Sequence, residues 1–515
     1  MIKVNIRSRR VAEIFLFFAA PIALRLALLP NHPVPPPGGV DDFSYLLLSD
    51  TLTHFRLANP PHIFNRFFET EYVLQEPAYS SQYALGQGLL LALGQRLLGQ
   101  PWAGVLISEG LFCALCYWML CGWVERRWAV VGALIVICQF GPLSPWMNNY
   151  FGGGIAAAAA CLVVGALPRL QKQTRWTHAT ALGFGLGFAF LARPFESTLL
   201  GLSAALFVLF LIPRDRWARL TLFVVIAGVP SAVLFFMHNH AVTGNWLTLP
   251  YMLNRYEYGV PATFTFQENP VPHRPLTVEQ QLVYEAQVRV HGEGTDTPRR
   301  YVSRFVSRLP SYRFFFDPVL YMAVIAFIPA LRSKSRQWVL LTVFIFMSGT
   351  TFYPHFYPHY IAPLTGLFVL VIVIGLRNLS EWRPWIARGV TIVYVGQFLF
   401  LYGIHLYGDE QWIMRTTHFS RYINWGDPQA RIKIKKQLQE TPGNHLVFIQ
   451  DPPPQYRFIS WMQNGADIDR SRIVWARDLG AAENEQLKRY YPNRVVWLLK
   501  TEVQPPKLER APTNH

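Results

Sequence analysis

Runs of roughly 20 largely apolar residues recur along most of the chain, each long enough as a helix to cross a hydrocarbon layer about 30 Å thick. A soluble fold has no use for such runs, because a half-buried helix or strand alternates its apolar positions with a period of 3.6 or 2. A hydrophobic share of 51% against 15% charged residues agrees with a membrane protein. Cys113, Cys116, Cys121, Cys138 and Cys161 all lie in or at the ends of apolar runs, so no disulfide framework is expected and the Cys113/Cys116 pair reads as packing. The formal charge of +16 is concentrated in short connectors rather than along one soluble face, so no nucleic-acid partner is expected.

Those connectors set a topology. Lys3, Arg7, Arg9 and Arg10 precede the first apolar run, which lacks a small-residue cleavage site and reads as a retained span starting in the cytoplasm. Further basic connectors at Arg126 and Arg127, Arg169 to Arg175, Arg214 to Arg219, Arg332 to Arg336 and Arg377 to Arg388 are expected on the same side. The spans then cover residues 11–30, 102–123, 129–147, 153–168, 177–192, 195–212, 217–237, 315–331, 337–353, 358–376 and 386–405, about eleven crossings with the carboxyl terminus outside. Residues 84–98, a short apolar stretch with several Gly and Gln, break the alternation and read as an interfacial or re-entrant helix; a full crossing is the alternative.

The expected fold class is mainly α: a polytopic transmembrane helical bundle over residues 1–405, with external loops 31–101 and 238–316, followed by a small α/β extracytoplasmic domain over residues 406–515. In that last segment residues 445–450, 473–476 and 494–499 read as strands and residues 482–490 as a helix, with no nucleotide-binding glycine pattern.

The chemistry is expected on the external side. Asp41-Asp42 follows a proline-rich turn and opens an amphipathic stretch. Two carboxylates at a membrane boundary can deprotonate a hydroxyl or ligate a divalent cation beside a phosphate leaving group. The plain alternative is a helix start, where Asp is favoured.

The layout of basic terminus, one span, external acidic pair, long loop, further spans and external terminal domain resembles the GT-C superfamily of membrane glycosyltransferases, among them protein mannosyltransferases, aminoarabinose transferases and oligosaccharyltransferases. Residues 41–52 (DDFSYLLLSDTL) and 79–91 (YSSQYALGQGLLL) are similar to its acidic motif and to the stretch leading into its next helix. The resemblance implies a polyprenyl-phosphate sugar donor, an acidic general base in the first external loop and, in some branches, a divalent metal such as Mg or Mn. Asp41 is then the candidate base and Asp42 its partner in acceptor or metal binding. Where several relatives hold the donor phosphate with a Lys, this sequence has Gln82, Tyr83 and Gln87.

Arg193, between two apolar runs, is the physical replacement: a charge there is costly unless paired, and a guanidinium can hold a lipid phosphate in bidentate fashion. Pairing with Glu196 is the competing explanation. The turns containing Asn149-Tyr150 and His355, His359 and Tyr360 offer polar and aromatic groups for a sugar, and Arg255 with Tyr256 to Tyr258 is expected to cover the site. Pro354 and Pro358 argue against His355 and His359 sharing a helix as metal ligands, and most of the charged residues from Glu279 to Arg313 are expected on solvated helix faces.

The expected activity is inverting transfer of a hexosyl or pentosyl group from the lipid carrier to a glycan, lipid or protein acceptor at the outer face of the inner (plasma) membrane. The alternatives are a transporter or flippase of lipid-linked sugars, disfavoured by the absence of an internal repeat, and a non-catalytic binding module in envelope assembly.

Overall fold

The computed structural model describes residues 6–292, 296–407, 429–450, 461–501, 503 and 505–511. Among them the chain runs through α1 (Ile6–Ala27), α2 (Val40–Thr53), the short strands β1 (Val73–Leu74) and β2 (Ser80–Ser81), then α3 (Leu85–Leu98), α4 (Pro101–Trp123) and α5 (Arg126–Phe140). It continues with α6 (Gly154–Lys172), α7 (Trp176–Ala192), α8 (Pro194–Leu211), α9 (Trp217–Thr243), α10 (Pro250–Tyr258), α11 (Val278–His291) and α12 (Pro298–Arg308). The rest is α13 (Tyr321–Ala326), α14 (Lys334–Thr350), α15 (Thr365–Trp382), α16 (Pro384–Tyr407), α17 (Gln429–Glu440), β3 (Asn444–Gln450), β4 (Ile473–Arg477), α18 (Ala481–Tyr490), β5 (Arg494–Lys500) and β6 (Lys507–Arg510).

Two compact units emerge, each assembled from three separate segments. The first, Met1–Pro35, Trp102–Leu234 and Thr297–Trp425, is helical. Among the described residues six helical segments are long and apolar enough to cross a membrane: Pro101–Trp123, Gly154–Lys172, Pro194–Leu211, Arg214–Thr243, Pro358–Trp382 and Pro384–Tyr407. The chain is a multi-pass membrane protein. α4, α6 and α15 lie inside the bundle, and α9 and α16 turn apolar side chains such as Leu222, Ile226, Ile392 and Phe400 outward, as lipid-facing helices do. Small residues bring helices together: a methyl group on Gly183 of α7 would lie 2.2 Å from the Val224 carbonyl oxygen of α9.

The other expected spans also fall on helices, α1 and the 15- to 17-residue α5, α7 and α14, with one exception. Residues 315–331 are not one helix. Proline removes a donor and clashes with the preceding turn, and Pro318 and Pro329 divide the segment into 3-10 turns around the six-residue α13. Pro298–Phe314 and Pro318–Arg332 meet at 105°, as a broken span or a re-entrant loop does.

The second unit, Pro36–Pro101, Phe235–Asp296 and Gly426–His515, contains the four-stranded sheet of order β4-β3-β5-β6, in which β3 runs parallel to β4 and β5 and β6 is antiparallel. The three stretches read as strands form β3, β4 and β5; the fourth strand, four residues of mixed charge, carries no apolar signal. β3 reads as an uninterrupted apolar run because both its faces are buried, as in other parallel sheets. Leu446 and Phe448 pack with Leu487 and Tyr491 and with Leu47, Phe67, Phe68 and Val73 of the first loop, while Val447 and Ile449 pack with Ile434 and Leu438 of α17 and Trp475 and Trp497. Residues 36–101 and 238–296 of the two long loops therefore fold with the carboxyl-terminal segment, while residues 297–316 belong to the helical unit.

Polar contacts staple the three segments of this unit. Arg56 pairs with Asp467 at 3.0 Å, the Ala466 N–H donates to Asp50 at 2.7 Å, and Arg274 bridges Glu69 and Glu76, each at 2.8 Å. Arg477 pairs with Glu279 and donates to the Glu69 carbonyl. Acids in this network are crowded. The Glu257 carboxyl is pushed up to about 7, mainly by burial, with Glu69 and Glu76 adding and Arg274 opposing. Burial and the Glu279 charge raise Glu71 as well.

Both acids hold a proton more tightly folded than unfolded, where a glutamate titrates near 4.5. Their contribution to stability is full below that value and is lost as pH rises through about 7. Hydrogen-exchange protection of backbone amides in the second unit should therefore decline as pH rises across this window, and Glu257→Gln should flatten the decline. A pH-independent profile in the wild type would contradict the account.

Candidate active site

The turn Pro35-Pro36-Pro37-Gly38-Gly39 cannot continue as helix, and Gly39 in extended conformation starts α2. Asp42 sits at the third position of the helix, and its carboxylate accepts the Gly38 and Gly39 N–H groups at 3.0 and 3.3 Å. It satisfies donors that a helix start leaves open. Adjacent helical residues point about 100° apart, and Asp41 faces a different partner: the Tyr83 hydroxyl donates to its Oδ1. The acidic pair is thus split, one carboxylate holding the helix end and the other holding a phenol.

Tyr83 is placed by local geometry. Its N–H donates to Ser81 Oγ at 3.1 Å, Ser81 Oγ lies 2.7 Å from Ser44 Oγ, and Ser44 Oγ donates to the Tyr72 carbonyl at 2.6 Å, so the β1–β2 hairpin is pinned to α2. The Tyr83 ring stacks on Tyr45 of α2 with centroids 4.2 Å apart. Burial, and then the Asp41 charge, push the phenol well above its ordinary range, so it remains a protonated donor. Gln82 donates its N–H to the Tyr72 carbonyl at 3.1 Å, and its side-chain Oε1 is buried without a hydrogen-bond partner. Gln87 is buried at the start of α3, which docks on α2 through contact between Gly88 and Leu48.

In the helical unit, Arg193 breaks the helix between α7 and α8, with φ −148° and ψ 88°. Its guanidinium lies 3.6 Å from Glu196 and 5.6 Å from the centre of the Tyr360 ring, so the pairing that competed with a phosphate role is present. Tyr360 belongs to an aromatic cluster: Tyr353, Tyr357 and His359 lie within 5.7 Å of it, centroid to centroid. His355 and His359 stand in a turn running into a 3-10 helix, as their flanking prolines predict. Tyr150 donates to the Pro35 carbonyl at 2.9 Å, whereas the buried Asn149 Oδ1 has no hydrogen-bond partner. In the second unit, Arg255 donates to the Pro261 and Ala262 carbonyls at 3.0 and 3.1 Å and holds the loop after α10.

Among the described residues no group of three or more His, Cys, Asp or Glu side chains converges. Asp42 holds the helix end through one oxygen, and Asp41 accepts from Tyr83 through one of its own.

Arg308 is an exception among the charges from Glu279 to Arg313, most of which are expected to be solvated. It is buried, donates to the carbonyls of Thr350, Tyr353 and Pro354, and lies 5.2 Å from the centre of the Phe356 ring. No sequence signal marked it, because Arg300, Arg304 and Arg308 recur at helical spacing like any polar face. Arg25 is likewise fully buried, donating to Asn148 and to the His32 and Pro33 carbonyls.

This arrangement of helices with a small sheet is similar in fold to two solved integral membrane enzymes. ArnT from Cupriavidus metallidurans matches over 95% of this chain and 93% of its own, with TM-scores of 0.52 in the apo state and 0.53 bound to undecaprenyl phosphate, at 12% and 11% identity. The Archaeoglobus fulgidus oligosaccharyltransferase in complex with Zn and sulfate matches over 93% of this chain and 67% of its own, with a TM-score of 0.50 and 11% identity. At such identities the likeness is one of fold. No protein-family model matches the chain, and no curated protein matches it in sequence.

Arg308→Met keeps the aliphatic stem and strands the buried carbonyls, at about 1–3 kcal/mol for each acceptor left unsatisfied. The thermal midpoint of the detergent-purified chain should fall by several degrees. An unchanged midpoint would show that water or lipid serves those carbonyls equally well.

Proposed function

We propose that the chain is a membrane glycosyltransferase that moves a sugar from a polyprenyl-phosphate carrier to an acceptor hydroxyl outside the cytoplasm, with Asp41 as general base. The observation that carries the reading is the Asp41–Tyr83 contact at the head of α2, in a chain with the fold of ArnT. One Asp41 oxygen accepts from a phenol that stays protonated, which orients the carboxylate for the base role proposed.

In the reaction the acceptor oxygen attacks the anomeric carbon while its proton passes to Asp41. The bond from that carbon to the phosphate oxygen breaks, the phosphate departs on its lipid with the electron pair, and the anomeric centre is inverted. Arg193, paired with Glu196 within the helical unit, is the candidate cation for a phosphate there. In the second unit, Gln82, with a buried oxygen lacking a partner, and Gln87 are the proposed sugar-binding groups. The basic connectors favour an inner-membrane orientation with the amino terminus in the cytoplasm.

In proteoliposomes supplied with a radiolabelled polyprenyl-phosphate hexose and an envelope lipid extract, Asp41→Asn should lower sugar transfer by about 10²-fold or more while the thermal midpoint is kept. Full transfer by the variant would remove Asp41 from the mechanism.

A further inference from the structure

Arg431, in the first turn of α17, is 8% exposed, and both Nη1 and Nη2 are buried without a hydrogen-bond partner. Elsewhere in the second unit Arg477, also buried, pairs with Glu279, and Arg274 pairs with Glu69 and Glu76. Two aromatic rings flank Arg431, and Lys435 one turn further along α17 adds a second positive charge that an anion would meet. The Arg431 guanidinium carbon lies 4.2 Å from the centre of the Phe43 ring and 5.3 Å from that of Trp461. Cation–π contact offsets part of the desolvation of a guanidinium and leaves its in-plane donors unanswered. Burial lowers its proton affinity to about 9, so the group remains charged near neutral pH.

A buried charge that lacks a partner costs several kcal/mol. Here the two open donor groups form the fork that matches an oxyanion, held flat by the rings. Phe43 is the next residue after Asp41-Asp42 on α2, so the fork stands over the same helix that carries the proposed base.

We infer that Arg431, flanked by Phe43 and Trp461, is a binding site for a phosphate oxyanion, carried on a polyprenyl lipid or free in solution. The site itself stands without the transferase reading; its use for a lipid-borne phosphate in transfer rests on that reading. Phosphate oxygens take the two open amino groups of the guanidinium, and the rings exclude water from the pair.

The test uses the full-length chain in nanodiscs, with calorimetric titration and thermal unfolding against farnesyl phosphate, farnesol and inorganic phosphate. The wild type should bind farnesyl phosphate and be stabilised by it, with no response to farnesol. A matching response to inorganic phosphate identifies free phosphate as sufficient, and response to farnesyl phosphate alone identifies a lipid-borne one. Arg431→Gln should weaken phosphate binding at least tenfold and, having lost an unanswered charge, unfold without ligand at a midpoint equal to or above that of the wild type. Arg431→Lys, which keeps the charge without the fork, should fall between the two.

Wild-type affinity in Arg431→Gln, or no phosphate binding by the wild type, would overturn the site. Asp41→Asn with full transfer and undiminished phosphate binding would instead reject the transferase mechanism and leave this site standing.

Discussion

The second unit depends on the burial of β3 on both faces. A strand of the type His445-Leu446-Val447-Phe448-Ile449 cannot leave either face in water, and α17 covers only one of them. The other is covered by Leu47, Phe67, Phe68 and Val73, side chains that precede β3 by more than 370 residues. This demand for apolar cover attaches α2 to the carboxyl-terminal segment. With α2 come Asp41, Asp42 and Phe43, and so the head of one helix receives a tyrosine from its own loop and an arginine from the far end of the chain.

Charge is distributed over that frame in two ways. Most buried ionic groups of the second unit are paired, and each pairing ties together segments distant in sequence, as Arg274 does with Glu69 and Arg477 with Glu279. Such pairs give register more than net stability, since desolvation consumes much of the Coulombic gain. Arg431, Gln82 and Asn149 each bury polar atoms without a hydrogen-bond partner among the described residues. Asp42 makes the opposite point: a residue singled out for chemistry is occupied with the geometry of a helix end.

The site was legible in part. Asp41 stood out because it adjoins a proline-glycine turn beside a membrane span, and Tyr83 because it lies in a stretch with family resemblance. That one would hydrogen-bond the other did not follow from either, since it depends on the β1–β2 hairpin and the Ser44–Ser81 contact turning the loop back onto α2. Arg193 was found by its isolation between apolar runs, and its pairing with Glu196 was open from spacing alone. Arg308 and Arg431 were invisible because each occupies a helix rich in basic residues, where sequence suggests a solvated face; their burial comes from distant aromatic groups. The break at residues 315–331 could have been read from Pro318 and Pro329, which weigh more against a continuous helix than the apolar content weighs for it.

By itself the sequence determined the membrane class, the places of nearly all the helices, and the three main strands, because hydrophobic length, periodicity and proline act within a few residues of where they are written. Only the tertiary structure decided that parts of two loops and a terminal segment form one unit, which of two adjacent aspartates is spent on a helix end, and which arginines are buried with or without a partner. Those outcomes depend on contacts across hundreds of residues, where the solvation of a charge is set by neighbours that no local pattern names.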